Sequence, residues 1–463
     1  MPIIKTPYGE VASVNADITA SGIPYEPIEA FIKNKVLPYY ANTHSNAYNG
    51  QLMSNYMTQA KELIRKSVGA KDCDKVIFTG TGCSGAITHL IHSLNLRKAT
   101  NPKTVVFITV AEHHSNYLPW QHLPVKVVVI PFNEDGKINV EHLEHDLKTY
   151  KEQKHPIVCC FIAGSNVTGV IQPVDQVNEL VHQYGGLIYW DYAGCAPYVK
   201  INMHKEGKDG KDGNYIDGIV MSPHKFMGGP GTPGILVANC NTFRNKEPFC
   251  PAGGTVRFVC KKFTTYNDNL ETRETGGTPN IIGSIKAGLV FQLKDKHLTE
   301  IIARNSQINK MVRPFFDAQK NIELVNPPTR LSDMSEVPIY SFRIPPFHYN
   351  LIVALLNDLF GIQSRGGVSC CSLYAQHLLK LTPTERTKIY DQIVSDHGVP
   401  AEYGWCRVTF HYTMSDETVK YILYAIRTVA EQAPALIKDY KYLPLKNNWV
   451  HKKFQVKFPA LTL

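Results

Sequence analysis

The chain has no CxxC pair, no P-loop GK[ST] and no apolar run that approaches the length of a membrane span. Lacking CxxC spacing, it offers zinc little support, and lacking a long apolar run it is not expected to cross a membrane. The opening residues, MPIIKTPYGEV, carry neither the apolar core of a signal peptide nor the Arg-rich pattern of a transit peptide, so the cytoplasm is the expected compartment. Concentrated charge is also scarce. A net charge of +9 is spread over 463 residues, with a basic cluster only in the tail, LKNNWVHKKFQVKF (Leu445 to Phe458). That tail reads as a solvated extension, with an acidic partner as the alternative, and charge gives no case for nucleic acid. The eleven cysteines are scattered and odd in number, with adjacent pairs at Cys159-Cys160 and Cys370-Cys371. This usage fits a reduced intracellular protein better than a disulfide scaffold.

What the chain does have is an ordinary globular balance, 43% hydrophobic and 19% charged residues, with length enough for two domains. Short β-branched runs recur from about residue 75 to 240: KVIFTG, TVVFITVAE, VKVVVIPF, PIVCCFIAG, GLIYWDY, DGIVMS and GILVAN. Helix-like stretches such as GAITHLIHSLNL and VEHLEHDLKTYKEQ lie between most of them. Near-continuous apolar strands alternating with helices predict a mostly parallel sheet buried on both faces. A long helical stretch from Gly283 to Gln319 leads to an α+β pattern, with VPIYSFRI followed by the helices HYNLIVALLNDLFGI and SDETVKYILYAIRTVAEQ. The polar, glycine-rich HKEGKDGKDGNY (204–215) reads as an exposed loop.

In such a sheet, ligands bind where strands end. The first strand runs into FTGTGCSGAITHLI, where glycines and hydroxyl residues open a helix and can cradle an anion. The second ends in EHHSNYLPW, which offers an imidazole for stacking or proton transfer. The fourth ends in GSNVTGVIQP with Asn166, and the fifth in YWDYAG with Asp191, either an N-cap or a buried, paired acid. The sixth ends in SPHKFMGGPG. Lys225 there is a lysine among helix breakers, on a stiff corner where a partly desolvated amine suits Schiff-base chemistry. Anion turn, flat stacking group, acid and amine together meet the needs of pyridoxal 5′-phosphate.

With these motifs in place, the chain resembles the class V aminotransferase family of fold-type I pyridoxal-phosphate enzymes, in its cysteine desulfurase and selenocysteine lyase branch. The segments carrying the likeness are EHHSN…PW, SNVTGVI, D…SPHK…GGPGTPG, GGTPNIIG and FGIQSRGGVSC. The resemblance implies an α/β fold, with a large domain (31–290) around a mostly parallel seven-stranded sheet and a smaller α+β domain (291–440). An N-terminal segment (1–30) would pack on the small domain, and a basic extension (441–463) would follow. It also implies that Lys225 forms the Schiff base, that Asp191 pairs with the pyridine nitrogen, and that His113, or else His114, stacks on the ring. Cys83 (through its backbone), Ser84, Ser222 and His224 would hold the phosphate. Thr278 would reach a partner subunit's phosphate, which implies a homodimer. Asn166 would face the substrate carboxylate and the cofactor's phenolic oxygen, and Arg407, assisted by Arg365, would clamp the carboxylate. Cys370 would be the nucleophile that takes sulfur from a cysteine-like substrate as a persulfide, for delivery to a protein acceptor.

Three departures from the family pattern stand out. Gly194 replaces a glutamine, Val368 and Ser369 stand where a histidine often precedes the cysteine, and HYTMS follows Arg407. They keep open a β-lyase or epimerase that needs no thiol, and a binding protein without activity.

Overall fold

A computed structural model describes residues 2–98, 100, 102–205, 214–328, 336–395 and 397–462. Most of the segment expected to be a loop at 204–215 lies outside the described residues. Two compact units are formed, one from 20–165 and 170–302, the other from 1–19, 166–169 and 303–463.

In the first unit the seven apolar runs become strands β1 (Asp74–Thr79), β2 (Val105–Thr109), β3 (Lys126–Ile130), β4 (Ile157–Ile162), β5 (Leu187–Asp191), β6 (Gly218–Met221) and β7 (Gly234–Asn239). They form one sheet in the order β1-β7-β6-β5-β4-β2-β3. The pairs among β2 to β6 are parallel, whereas β7 runs antiparallel to both β1 and β6. The strands β2, β4 and β6 are buried along their whole length, as expected of a sheet covered on both faces. Helix α1 (Gly82–Ser93) lays Ala86, Ile87, Leu90 and Ile91 over this sheet, against Ile77, Val106, Ile108 and Leu236. Each fully buried leucine, isoleucine or valine here contributes about 1.5–3 kcal/mol.

Because β1, β2, β4, β5 and β6 point the same way, their C-terminal ends share one rim. Thr79, Thr109, Ile162, Asp191 and Met221 are the last strand residues there.

Helix α2 (Ile281–Asp317) carries the chain from the first unit into the second. The second unit holds an antiparallel sheet of β8 (Glu323–Leu324), β9 (Ile339–Arg343), β10 (Arg365–Gly367) and β11 (Trp405–Thr409) in the order β8-β9-β11-β10. Helix α3 (Tyr349–Phe360) buries Leu351, Ile352, Leu355 and Leu356 at helical spacing. Helix α5 (Asp416–Leu436), which comes after α4 (Ser372–Leu378), buries Val419, Ile422, Ile426 and Val429 into the same core. The N-terminal residues join this unit through Val14–Asn15, which pair in parallel with Ile362–Gln363. At the other end, Tyr440–Leu443 and Asn448–His451 close a hairpin. No helix among the described residues is long and apolar enough to cross a membrane.

Candidate functional site

The rim of the first unit is built from the turns that leave the strand ends. After β1 the chain turns through Gly80–Gly82 into α1. Gly82 adopts φ +55°, and a Cβ there would approach the Ser222 Oγ to 2.9 Å. The Cys83 amide donates to that same Ser222 hydroxyl at 2.8 Å, joining the turn after β1 to the turn after β6. Ser84 exchanges a hydrogen bond with Ser115, whose hydroxyl also reaches His113 Nδ1 at 3.0 Å. The Ser115 amide donates to His113 Nδ1 as well, at 3.2 Å, and these two contacts set the plane of the imidazole.

Next to that histidine in the chain is Glu112, a fully buried acid that opens the EHHSN motif but has no role assigned to it from the sequence. Its Oε1 accepts from the Thr109 amide, the Thr109 hydroxyl and the Ile162 amide, and its Oε2 from Asn116 Nδ2. Burial pushes its pKa up to about 8 against the pull of these donors. The acid thereby binds the ends of β2 and β4 together. Trp120 Nε1 donates in turn to Asn116 Oδ1 at 3.1 Å. The motif EHHSN…PW is therefore one connected scaffold that fixes His113.

Asp191 ends β5 with 2% exposure, and one of its oxygens accepts the Ala193 amide at 2.8 Å. Lys225 closes a single 3-10 turn, Pro223–Lys225, after β6. The chain then doubles back tightly at Gly229, where a Cβ would lie 2.0 Å from the Pro223 carbonyl oxygen. From the other side Gly22 donates its amide to the His224 carbonyl at 2.8 Å, and its own Cβ position is filled by Phe226 O. So the breakers around Lys225 serve close backbone packing that holds the lysine in place. Among the described residues the Lys225 amine makes no hydrogen bond or ion pair. Burial lowers His113 below the usual imidazole range, with the Asp191 carboxylate opposing and the Lys225 charge adding to the shift. Burial also lowers His224, again with Lys225 adding. Acid, amine and imidazole thus share one electrostatic neighbourhood.

This donor set fits pyridoxal phosphate. The turn at Gly82 is a cradle that a Cβ would fill, and Thr81, the residue before α1, places no side-chain cap on the helix. A buried carboxylate, an unpaired amine and an oriented imidazole complete the set.

The second unit assembles the remaining residues. Arg365 and Arg407 face each other across β10 and β11 as register partners. Two guanidiniums at such a position would repel, and Asp17 resolves the conflict. It accepts from Arg407 Nη2 at 2.6 Å through one oxygen and from Arg365 Nε at 3.0 Å through the other. Arg407 is 3% exposed at its side chain, and its Nη1 donates to the Asn166 carbonyl at 2.9 Å. Its buried Nε has no partner. Arg365 is 48% exposed and keeps its Nη groups for other uses.

Asn166 is the hub of this group. Its Nδ2 donates to the Ser369 carbonyl at 2.9 Å, and its Oδ1 accepts from the buried Cys371 thiol at 3.1 Å. The loop so tied contains Ser369 and Cys370, consecutive non-glycine residues at φ +54° and +57°. Each such conformation costs on the order of 1 kcal/mol and persists only where the surroundings impose it. Cys370 is the exposed member of the vicinal pair.

The structure therefore gathers the sequence candidates into two groups. Cys83, Ser84, His113, Asp191, Ser222, His224 and Lys225 belong to the first unit. Asn166, Arg365, Cys370 and Arg407 belong to the second, where the Asn166 side chain is occupied by the cysteine loop. Thr278 joins neither group by hydrogen bonding; its hydroxyl accepts from Asn42 Nδ2 at 3.1 Å. Gly194 is buried in the turn after Asp191. Asp17 and Glu112 went unread in the sequence. The segment NADITASG around Asp17 has no local feature that announces an arginine partner 390 residues away.

Comparison with known proteins adds independent support. The family model for Aminotransferase class-V matches residues 18–422. A probable cysteine desulfurase of Halalkalibacterium halodurans is 28% identical over 361 residues, covering 76% of this chain and 82% of that protein. A probable cysteine desulfurase of Pyrococcus abyssi is 26% identical over 382 residues, covering 81% and 88%. Among solved structures, the apo cysteine desulfurase of Thermococcus onnurineus NA1 superposes with a TM-score of 0.74 at 22% identity, over 90% of this chain and 95% of that one. This likeness agrees with the expected α/β fold.

Proposed function

Because the chain belongs to the class-V aminotransferase family, a family of pyridoxal-phosphate enzymes, we propose that it cleaves the C–S bond of L-cysteine, or the C–Se bond of selenocysteine. The products would be alanine and a persulfide on Cys370. The names of its relatives support this reading, and one structural observation carries it: the exposed Cys370 sits on a strained loop anchored, through Cys371 and Asn166, to the buried Arg407.

When bound, the cofactor supplies an aldehyde that captures the substrate amine and a ring that withdraws electrons from its α-carbon. Cys83, Ser84, Ser222 and His224 would hold its phosphate, Asp191 its ring nitrogen and His113 its face. Lys225 then takes the proton from the substrate α-carbon and returns it later. Arg407, assisted by Arg365, would clamp the substrate carboxylate: each Arg407 Nη gives one of its two N–H groups, to Asp17 or to Asn166, and Arg365 is bound to Asp17 through Nε. The Cys370 sulfur attacks the substrate sulfur; that S–S bond forms, the C–S pair stays with carbon, and a proton makes the methyl group of alanine. Thr278 at a subunit boundary of a homodimer, a protein sulfur acceptor and a cytoplasmic setting complete the reading.

The experiment is to supply L-cysteine and quantify alanine and sulfide for the wild type and Cys370→Ala. Activity lost in the variant with its cofactor absorption intact supports the persulfide route, and unchanged alanine formation defeats it. The second reading, a β-lyase, is favoured by Gly194 and by the missing histidine before Cys370. Its products would be pyruvate and ammonia in place of alanine.

A further inference from the structure

At the far end of β1 from the anion turn, three metal-ligating side chains meet that play no part in the function above. Cys73 and Asp74 enter β1, and His204 arrives from a distant segment. A sulfur, a carboxylate oxygen and an imidazole nitrogen all lie within 4.8 Å of one another. Asp74 is completely buried, and its Oδ2 accepts from His204 Nε2 and, at 2.8 Å, from the Lys71 amide. Its Oδ1 lies 3.8 Å from Cys73 Sγ. Cys73 and His204 are both partly open to solvent, so an ion has a route of entry.

The backbone that carries the three groups is tied down on each side. Met203, beside the histidine, donates its amide to Val68 O at 2.9 Å, and the chain at His204 bridges to Tyr215. The Cys73 carbonyl accepts the Cys240 amide at 2.8 Å where β7 ends, one step beyond the Asn239–Asp74 pair. Such preorganisation is what a metal site requires. We propose that Cys73, Asp74 and His204 bind a zinc-class divalent cation, with solvent as the fourth ligand. The donor chemistry selects the ion. One thiolate, one imidazole and one carboxylate suit a borderline-soft tetrahedral cation and not magnesium or calcium, which take oxygen ligands. Tetrahedral zinc with bonds of about 2.0–2.3 Å needs ligand atoms about 3.3–3.8 Å apart. The sulfur must therefore close in slightly and the His204–Asp74 contact must open.

Bound there, the ion would staple the start of β1 to the segment carrying His204. It lies five strand steps, on the order of 16 Å, from the anion turn. Its role is therefore separate from the chemistry at Lys225.

The test uses the purified full-length protein with its cofactor, dialysed against buffered micromolar zinc and then against zinc-free buffer, with metal measured by atomic emission. Cys73→Ser and His204→Gln are compared with the wild type, every other exposed cysteine being retained in all three. Glutamine can still donate to Asp74, so His204→Gln separates a ligand from a mere hydrogen-bond donor. The expected result is about one zinc per wild-type chain and affinity at least roughly tenfold weaker in both variants. Cobalt loaded in place of zinc should give tetrahedral d–d bands that both variants lose. Cofactor absorption should be the same in all three, so failure here leaves the reading of the Lys225 site untouched. A wild type that retains no zinc, or variants that retain as much as the wild type, overturns the proposal.

Discussion

One buried cation in each unit shows charge handled in opposite ways. In the second, Arg407 is buried with a carboxylate and a carbonyl on its two Nη groups, and Arg365 shares the same Asp17. In the first, Lys294 is also buried, but its Nζ has no hydrogen-bond partner, and burial lowers its pKa to about 8. Among the described residues the amine of Lys225 is likewise without a partner. Pairing makes the arginine cluster a rigid structural element, whereas an unpaired amine is costly to the fold and available to chemistry. The same class of substitution should therefore have different signs in the two units.

Removing the amine that does chemistry is the largest break. Lys225→Ala should lower turnover with L-cysteine by about 10³-fold or more, and the near-visible band of the lysine-bound cofactor should disappear from its spectrum. Next comes the paired charge. Asp17→Asn leaves Arg407 buried without its counter-ion and should cost about 3–5 kcal/mol in urea unfolding, with the cofactor band retained. A variant as stable as the wild type would show that the pair is not what holds the cluster.

Lys294→Met should do the reverse and stabilise the protein. At about pH 7 the amine is protonated in both folded and unfolded chains, and the folded form bears the full burial penalty. A folded pKa of about 8 against 10.5 unfolded corresponds to about 3 kcal/mol of gain for the variant. Between those two values the unfolded chain binds the proton and the folded one does not, so wild-type stability rises with pH and the advantage fades. Unfolding curves at about pH 7 and pH 10 would check both the sign and the trend. The smallest effect is expected at Cys371→Ser. A hydroxyl can keep the hydrogen bond to Asn166 Oδ1, so alanine formation should stay within about threefold of wild type.

The same contrast explains what could be read from the sequence. The seven strands were legible because each is a short apolar run bounded by turn residues, and the rim chemistry was legible because each piece follows its own strand. Lys225 with Ser222 and His224, or His113 within EHHSN, are local arrangements. The reversed direction of β7 was not legible, since GILVAN reads the same along either direction of a sheet. Nor was the acid that joins Arg365 and Arg407, since Asp17 lies more than 340 residues before either. The resemblance puts Asn166 beside the substrate carboxylate, and its hydrogen bonds to Ser369 and Cys371 are contacts that only tertiary structure discloses. The Cys73–Asp74–His204 corner escaped for the same reason: spacing rules search for ligands in one stretch of chain.

The central claim is that Cys370 receives the substrate's sulfur. The most direct measurement is a single turnover with L-cysteine in the absence of reductant, followed by peptide mass spectrometry and amino-acid analysis. The account predicts one added sulfur atom on the peptide at Cys370, with alanine in equal amount. Pyruvate and ammonia with an unmodified Cys370, or the added sulfur on Cys371, would contradict it.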